Sequence, residues 1–286
     1  TVGDTATVTA SSTLSGTAVA TTVGDATNTA TDTAVAAATV GTNLGADTNV
    51  NGGSTVFGAD ATFSATATST QAATSTSVQG DTDSKATTTT NIGLDALTTT
   101  VGDGGTITGR AIGSDTAAAT STYGDAIAAA TGTTNVGVNS DGVLTVGGKG
   151  DLTGTANLGL TSTAVTVGDN SAAGTADLST ATTSNTTNVG LALDAAATTI
   201  GDDGTVTGVG SVISGASATA TKADATATIN AGVTSVNTGI DLTSRTLTVG
   251  DAGTIGGQAT ATNTAAATTV DGDALATILN STTSGI

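Results

Sequence analysis

The sequence contains no Glu, His, Cys, Met, Trp or Pro. Without His, Glu and Cys, the residue types that carry most general acid–base and nucleophilic catalysis are missing. Ser and Thr abound but have no base to activate them. The composition therefore excludes the common enzyme chemistries, and no catalytic, cofactor-binding or metal-ligating residue is assigned. Absence of Cys removes any disulfide framework and leaves the redox compartment open on that criterion. Aromatics are limited to Phe57, Phe63 and Tyr123, so a wide core built on large side chains is excluded and any interior must be thin. Positive charge is scarce too. Lys85, Arg110, Lys149, Lys222 and Arg245 face 23 Asp, for a formal net charge of -18. That balance repels a phosphate backbone and excludes nucleic acid as a partner. No apolar run approaches the roughly 18 residues of a membrane-spanning helix, so no span is expected.

What is present is a narrow alphabet arranged in repeats. Thr supplies about a quarter of the 286 residues. A first motif reads TVGDGGTITGRA from Thr100 and returns from Thr145, Thr199 and Thr248, with looser copies from Thr1 and Thr55. Its leading aliphatic falls at Val2, Val56, Val101, Val146, Ile200 and Val249, with spacings of 54, 45, 45, 54 and 49 residues. A Gly-Asp motif or a close relative follows at Asp25, Asp81, Asp125, Asp169, Asp224 and Asp273. A third motif, TTNVGL-like, precedes each new unit, as at Asn43, Asn91, Asn135 and Asn188, and more loosely around Val236. The long spacings come from insertions after Asp25 and Asp169, which makes the array a duplicated triplet at an offset of 144. Residues 1–286 thus form a single array, with units 1–54, 55–99, 100–144, 145–198, 199–247 and a partial 248–286. Self-similarity at such a period is the mark of quasi-one-dimensional stacks.

Within units, Thr and aliphatic residues exchange faces residue by residue, as in Thr106-Ile107-Thr108 and Thr205-Val206-Thr207. That is the period-2 pattern of strands, and Gly-Asp, Asn-Gly and Gly-Gly pairs punctuate it as turns. The Ala126–Ala130 run is too short for an independent helix and reads as strand or corner. The expected fold is all-β: a β-solenoid, right-handed and β-helix-like, built from six degenerate repeats of about 45–54 residues. A tandem array of small β-sandwiches is the alternative. A half-unit of about 22 residues suits one coil, so the expectation is two coils per unit and about twelve in all. At roughly 4.8 Å per coil this gives a length on the order of 55 to 60 Å. A disordered Ser/Thr-rich stalk fits less well, because disorder needs no fixed motif register.

The Asp rows are the one feature that suggests a ligand, because stacked carboxylates attract calcium. Asp also favours turns by bonding nearby backbone amides, and the rows do not match the calcium-binding nonapeptide, so calcium is not assigned. The Asn185-Thr186-Thr187 sequon arises readily by chance in a Thr-rich chain. Gly102 to Gly105 lacks the Walker lysine and a following helix, and reads as a turn rather than a phosphate cradle.

Cys-free repeats rich in Thr, Ala, Gly, Asp and Val, with recurring TVGDxGTITG, resemble bacterial repetitive cell-surface proteins, the filament and giant-adhesin type. The resemblance implies a secreted, acidic, adhesin-like, β-rich assembly without an active site. The function expected is that of a structural subunit of an extracellular fibre or cell-surface layer. Its partner is itself, in a head-to-tail homopolymer formed by strand stacking, with Ala274 to Leu279 offered to the next copy. Surface glycans and divalent cations are further candidate partners. The alternatives are a stalk or spacer in a large adhesin or phage tail fibre, and an ice-binding solenoid. An ice-binding solenoid needs regular Thr ladders, which the insertions would be expected to interrupt.

Overall fold

The structure is a computed structural model describing residues 1–23, 33–48, 54–168, 178–230, 235–243, 246–279 and 281–286. Every regular element among them is a strand, and all strand pairing is parallel. The chain winds as a three-sided β-solenoid. One side carries six strands of 16 residues each: β1 (Thr7–Thr22), β4 (Thr62–Ser77), β7 (Thr106–Ser121), β10 (Asp151–Thr166), β13 (Thr205–Ala220) and β17 (Thr254–Thr269). The second carries β2 (Ala34–Asp47), β5 (Thr82–Ala96), β8 (Ala126–Ser140) and β11 (Leu178–Leu193). It is completed by β14 (Asp224–Ile229) with β15 (Ser235–Leu242), and by β18 (Ala274–Ile278) with β19 (Ser281–Ser284). The third side is short: β3 (Ser54–Phe57), β6 (Thr98–Val101), β9 (Val143–Val146), β12 (Ala197–Ile200) and β16 (Leu247–Val249).

Register corrects the coil length. Thr7 pairs with Thr62, Thr62 with Thr106, Thr106 with Asp151, Asp151 with Thr205 and Thr205 with Thr254. Each step of 44 to 55 residues is therefore one turn of the solenoid, not two. Six coils, about 4.8 Å apart, span only about 24 Å between the first and last strands. The cross-section is correspondingly larger, since strands of 16 residues reach about 50 Å.

The strands explain how a chain without bulky residues folds. Along β4 and β7, every second side chain turns inward and is buried. The interior divides into two lobes. In one, the two long sheets face each other across a layer of Ala, including Ala86, Ala117, Ala119, Ala128, Ala181 and Ala218. In the other, closed by the short sheet, the filling is larger: Phe57, Leu94, Ile107, Leu144, Leu152, Leu191 and Ile200. Phe57 and Phe63 meet there with ring centroids 4.9 Å apart.

Between the lobes the in–out alternation of the second sheet slips twice, while the register between neighbouring strands stays constant. Thr88 pairs with Gly132 and Thr90 with Thr134, passing over Thr89; Ile92 pairs with Val136 and Leu94 with Val138, passing over Gly93. The alternation shifts by one residue at each slip, so Asn91 turns inward and the chain at Gly93 approaches the opposite sheet. The same slips recur at Gly41 and Gly45, and at Thr186 and Gly190.

At the corner entering each long strand, Thr5, Asp60, Gly104, Lys149, Asp203 and Ala252 all hold positive φ, between 55° and 70°. Only Gly104 adopts that conformation without a Cβ penalty. Six equivalent left-handed residues show that corner geometry is imposed by stacking and not by local sequence.

Candidate functional site: the open coil ends

Four features build the site: two sets of corner carboxylates, an asparagine ladder, a buried carboxyl and the exposed end coils. At the first corner, the Asp4 carboxylate accepts the Ala59 amide at 2.9 Å, Asp103 that of Gly148 at 2.8 Å, and Asp202 that of Asp251 at 2.8 Å. At the second, Asp81 accepts the Asp125 amide at 3.0 Å, Asp125 that of Leu178 at 2.7 Å, and Asp224 that of Asp273 at 2.8 Å. Asp25 and Asp169 lie outside the described residues, as does Arg245. These carboxylates thus stitch neighbouring coils together, where the sequence suggested bonds to nearby amides in the same turn. Among the described residues, no three acidic side chains come together as a metal-holding group. Lys149 sits in a shallow hollow with Asp103, Asp202 and Asp203.

The third motif supplies a ladder that sequence reasoning noticed only as a repeat marker. Asn43 donates through Nδ2 to Oδ1 of Asn91 at 2.9 Å, Asn91 to Asn135 at 2.9 Å, Asn135 to Asn188 at 2.8 Å, and Asn188 to Asn237 at 2.8 Å. All five side chains are buried. The second Nδ2 proton crosses to the facing sheet, from Asn43 to the Thr68 carbonyl at 2.9 Å and from Asn135 to that of Asn157 at 3.1 Å. A buried amide must find partners for both donors and its acceptor, and one residue type repeated at the coil period meets that demand through the first five coils, with Thr283 at the equivalent position in the sixth. At the last of the five, Asn237 turns its amide to the Thr260 carbonyl at 2.8 Å.

The Asn185 sequon is also resolved by placement. Asn185 is buried and donates to the Ser235 hydroxyl at 3.0 Å, so in the folded chain its amide is not presented to a glycosylating enzyme.

One carboxyl lies inside the Ala lobe. Asp115 is fully buried and accepts the Thr88 amide at 3.0 Å and the Thr88 hydroxyl at 2.7 Å. Burial pushes its pKa up to about 6, against the partial opposing effect of the two Thr88 hydrogen bonds. Partial burial also raises Asp141, with repulsion from Asp95 and Asp194 adding to it. A carboxyl that holds its proton more tightly folded than unfolded favours the folded state below its unfolded value, and that advantage is lost as pH rises through about 6. Leu160 occupies the equivalent position one coil on. Asp115→Leu is therefore expected to gain about 2 kcal/mol relative to the parent on going from pH 4 to pH 7, and so to flatten the decline in stability over that range. Chemical denaturation at pH 4, 5.5 and 7 checks both; an unchanged pH slope would sink the assignment.

The two end coils are half-open. β1 pairs only with β4, and β17 only with β13. Side chains that point inward in these coils remain accessible: Val8 is 36% exposed, Leu14 39%, Val249 40% and Ile278 50%. Their counterparts in inner coils, such as Phe63, Ile107, Ile200 and Ile229, are covered. β18, which contains most of the apolar Ala274–Leu279 run, pairs with β14 on one side only.

Comparison with known protein families, with characterised proteins and with solved structures finds no match to this chain.

Proposed function

We propose that this chain is a structural, non-enzymatic building block of an extracellular or cell-surface fibre, extended by stacking the last coil of one copy on the first coil of another. The observation that carries the reading is the likeness of the end coils to the inner ones. β17 has the same 16-residue length and inward pattern as β13, and β1 the same as β4. Continuing the internal register sets Thr254 of one copy opposite Thr7 of the next. It brings the Asp251 carboxylate to the Asp4 amide, as Asp202 reaches Asp251. Junctions of that kind cover Val8, Leu14, Val249 and Ile278 and satisfy two strand edges, which otherwise template adventitious pairing. The contact is heterologous and does not close on itself. A surplus of 18 negative charges keeps free copies apart until salt screens them. The lack of Met and Cys and the rarity of Lys and Arg suit an oxidising, protease-rich exterior.

Sedimentation velocity and negative-stain microscopy across protein and salt concentration test this. The expected result is unbranched filaments with a subunit repeat of about 29 Å, six coils at about 4.8 Å, that are lost in Leu14→Lys while the isolated protein stays folded. Discrete single particles under all conditions would overturn it and leave the alternative of a spacer within a longer chain.

A further inference from the structure

The insertions that were expected to disrupt a regular Thr surface leave the register of the first long sheet unbroken. In sequence they fall after Asp25 and Asp169, past the ends of β1 and β10 and outside the described residues, while all sixteen positions of β1, β4, β7, β10, β13 and β17 pair in unbroken register. Eight residues of each strand point outward, and 27 of these 48 outward positions are Thr. The chain as a whole is only about one-quarter Thr. Two outward columns are Thr in five of six coils: Thr7, Thr62, Thr106, Thr205 and Thr254 at one edge, Thr21, Thr76, Thr120, Thr219 and Thr268 at the other.

Charge is excluded from the same face. Its only charged side chains are Arg110 and Asp151, so 22 of the 23 Asp lie elsewhere and the face is neutral in a chain of net charge -18. The outward side of the second long sheet differs, with Asp83, Lys85, Val35, Ile127 and Asp224 interleaved. Solubility alone gives no reason to confine carboxylates to the other sides.

A Thr hydroxyl donates one hydrogen bond and accepts two, and its branched Cβ limits it to few rotamers. Thr spaced at about 6.7 Å along a strand and about 4.8 Å between coils sets hydroxyls in stiff rows with methyl groups between them, most regular along the two edge columns and interrupted in the middle of the face by Arg110, Ile112, Asn157, Gly159 and Ile213. Such rows hold first-layer water at fixed spacings with little ordering cost on the protein side, and no dense charge reorients that layer. We propose that this face binds ordered water in the form of an ice surface, an activity beyond the fibre reading and independent of it. Exposed Ile213 and Val19 belong to the same face and fit a surface that holds water through regular spacing rather than charge.

The test uses the intact chain. The freezing–melting gap is measured by osmometry and the protein's incorporation into slowly grown ice is assayed, for the parent and for Thr108→Tyr, Thr153→Tyr and Lys85→Tyr. Thr108 and Thr153 are outward neighbours on β7 and β10, and Lys85 is outward on β5. The expected result is a parent that opens a gap and enters ice, two Thr variants that lose most of both, and a Lys85 variant that keeps them, with all melting alike by circular dichroism. A parent excluded from ice overturns the proposal. So does equal activity in all four proteins, or a Thr-variant effect seen only as altered self-association in sedimentation.

Discussion

Asn135→Ala is expected to lower unfolding stability by about 4 kcal/mol. The substitution removes one rung from the middle of the amide ladder, where three partners lose their bonds: Nδ2 of Asn91, Oδ1 of Asn188 and the Asn157 carbonyl. Each buried group left unpaired costs about 1–3 kcal/mol, and coupling along a polarised chain of amides adds to the loss. Relaxation of the small Ala side chain recovers little, because both neighbouring rungs are held by their own coils. Asn139→Ala is the companion measurement. Its side chain bonds Asp95 and Asp141 at a partly exposed corner, and a change below about 1 kcal/mol is expected there. Since stacked repeats need not unfold in one step, hydrogen exchange across β8 and β11 should accompany the denaturation curve. Equal, small effects for both variants would show that the ladder contributes nothing special.

Gly137→Ala should cost at least about 3 kcal/mol, through crowding instead of lost bonding. Gly137 follows Asn135 by two residues, at a slip where the backbone of the second sheet closely approaches that of the facing sheet. A Cβ there would run into the backbone nitrogen and carbonyl of Thr155 and the carbonyl of Gly190, all nearer than real Cβ contacts allow. Overpacking usually costs 1–3 kcal/mol when side chains can shift. Here the obstacles are main chain on both sides, fixed by pairing above and below. Gly215→Ala provides the opposite case. Gly215 faces open space on the outer surface of β13, so Ala is expected to add about 0.5–1 kcal/mol by reducing the freedom of the unfolded chain. The same methyl group should thus change sign between two glycines in strands.

Those two residues also show where the sequence stopped being legible. Strands, the β-solenoid class and the role of small residues followed from Thr–aliphatic alternation and from the repeat, because both patterns act locally. Coil length did not follow. Gly109, and the Gly113-Ser114-Asp115 run, look like turn signals, yet all lie inside the uninterrupted strand β7. Gly109 stands there because a Cβ would strike Gly137 and Val138 of the opposite sheet, and Asp115 points inward to Thr88. A residue selected by the far wall of the solenoid carries the same letter as one selected by a turn. The Asn of TTNVGL had a readable clue, since one buried-type amide per coil, two residues before a Gly, is what an axial ladder requires. The corner carboxylates were legible as a pattern and misleading in range. Their partners stand 44 to 55 residues away, a separation that only the coil register reveals.

The ladder also gives the particle a sense of direction. Every rung from Asn43 to Asn188 donates toward the later coil, and every rung from Asn91 onward accepts from the earlier one, so the amide dipoles add instead of cancelling. Reversing one copy relative to another would set like poles together and turn parallel pairing antiparallel at the joint. A fibre grown from such particles is an arrow: its two tips differ chemically, and a blocking or capping agent that fits one has no purchase on the other.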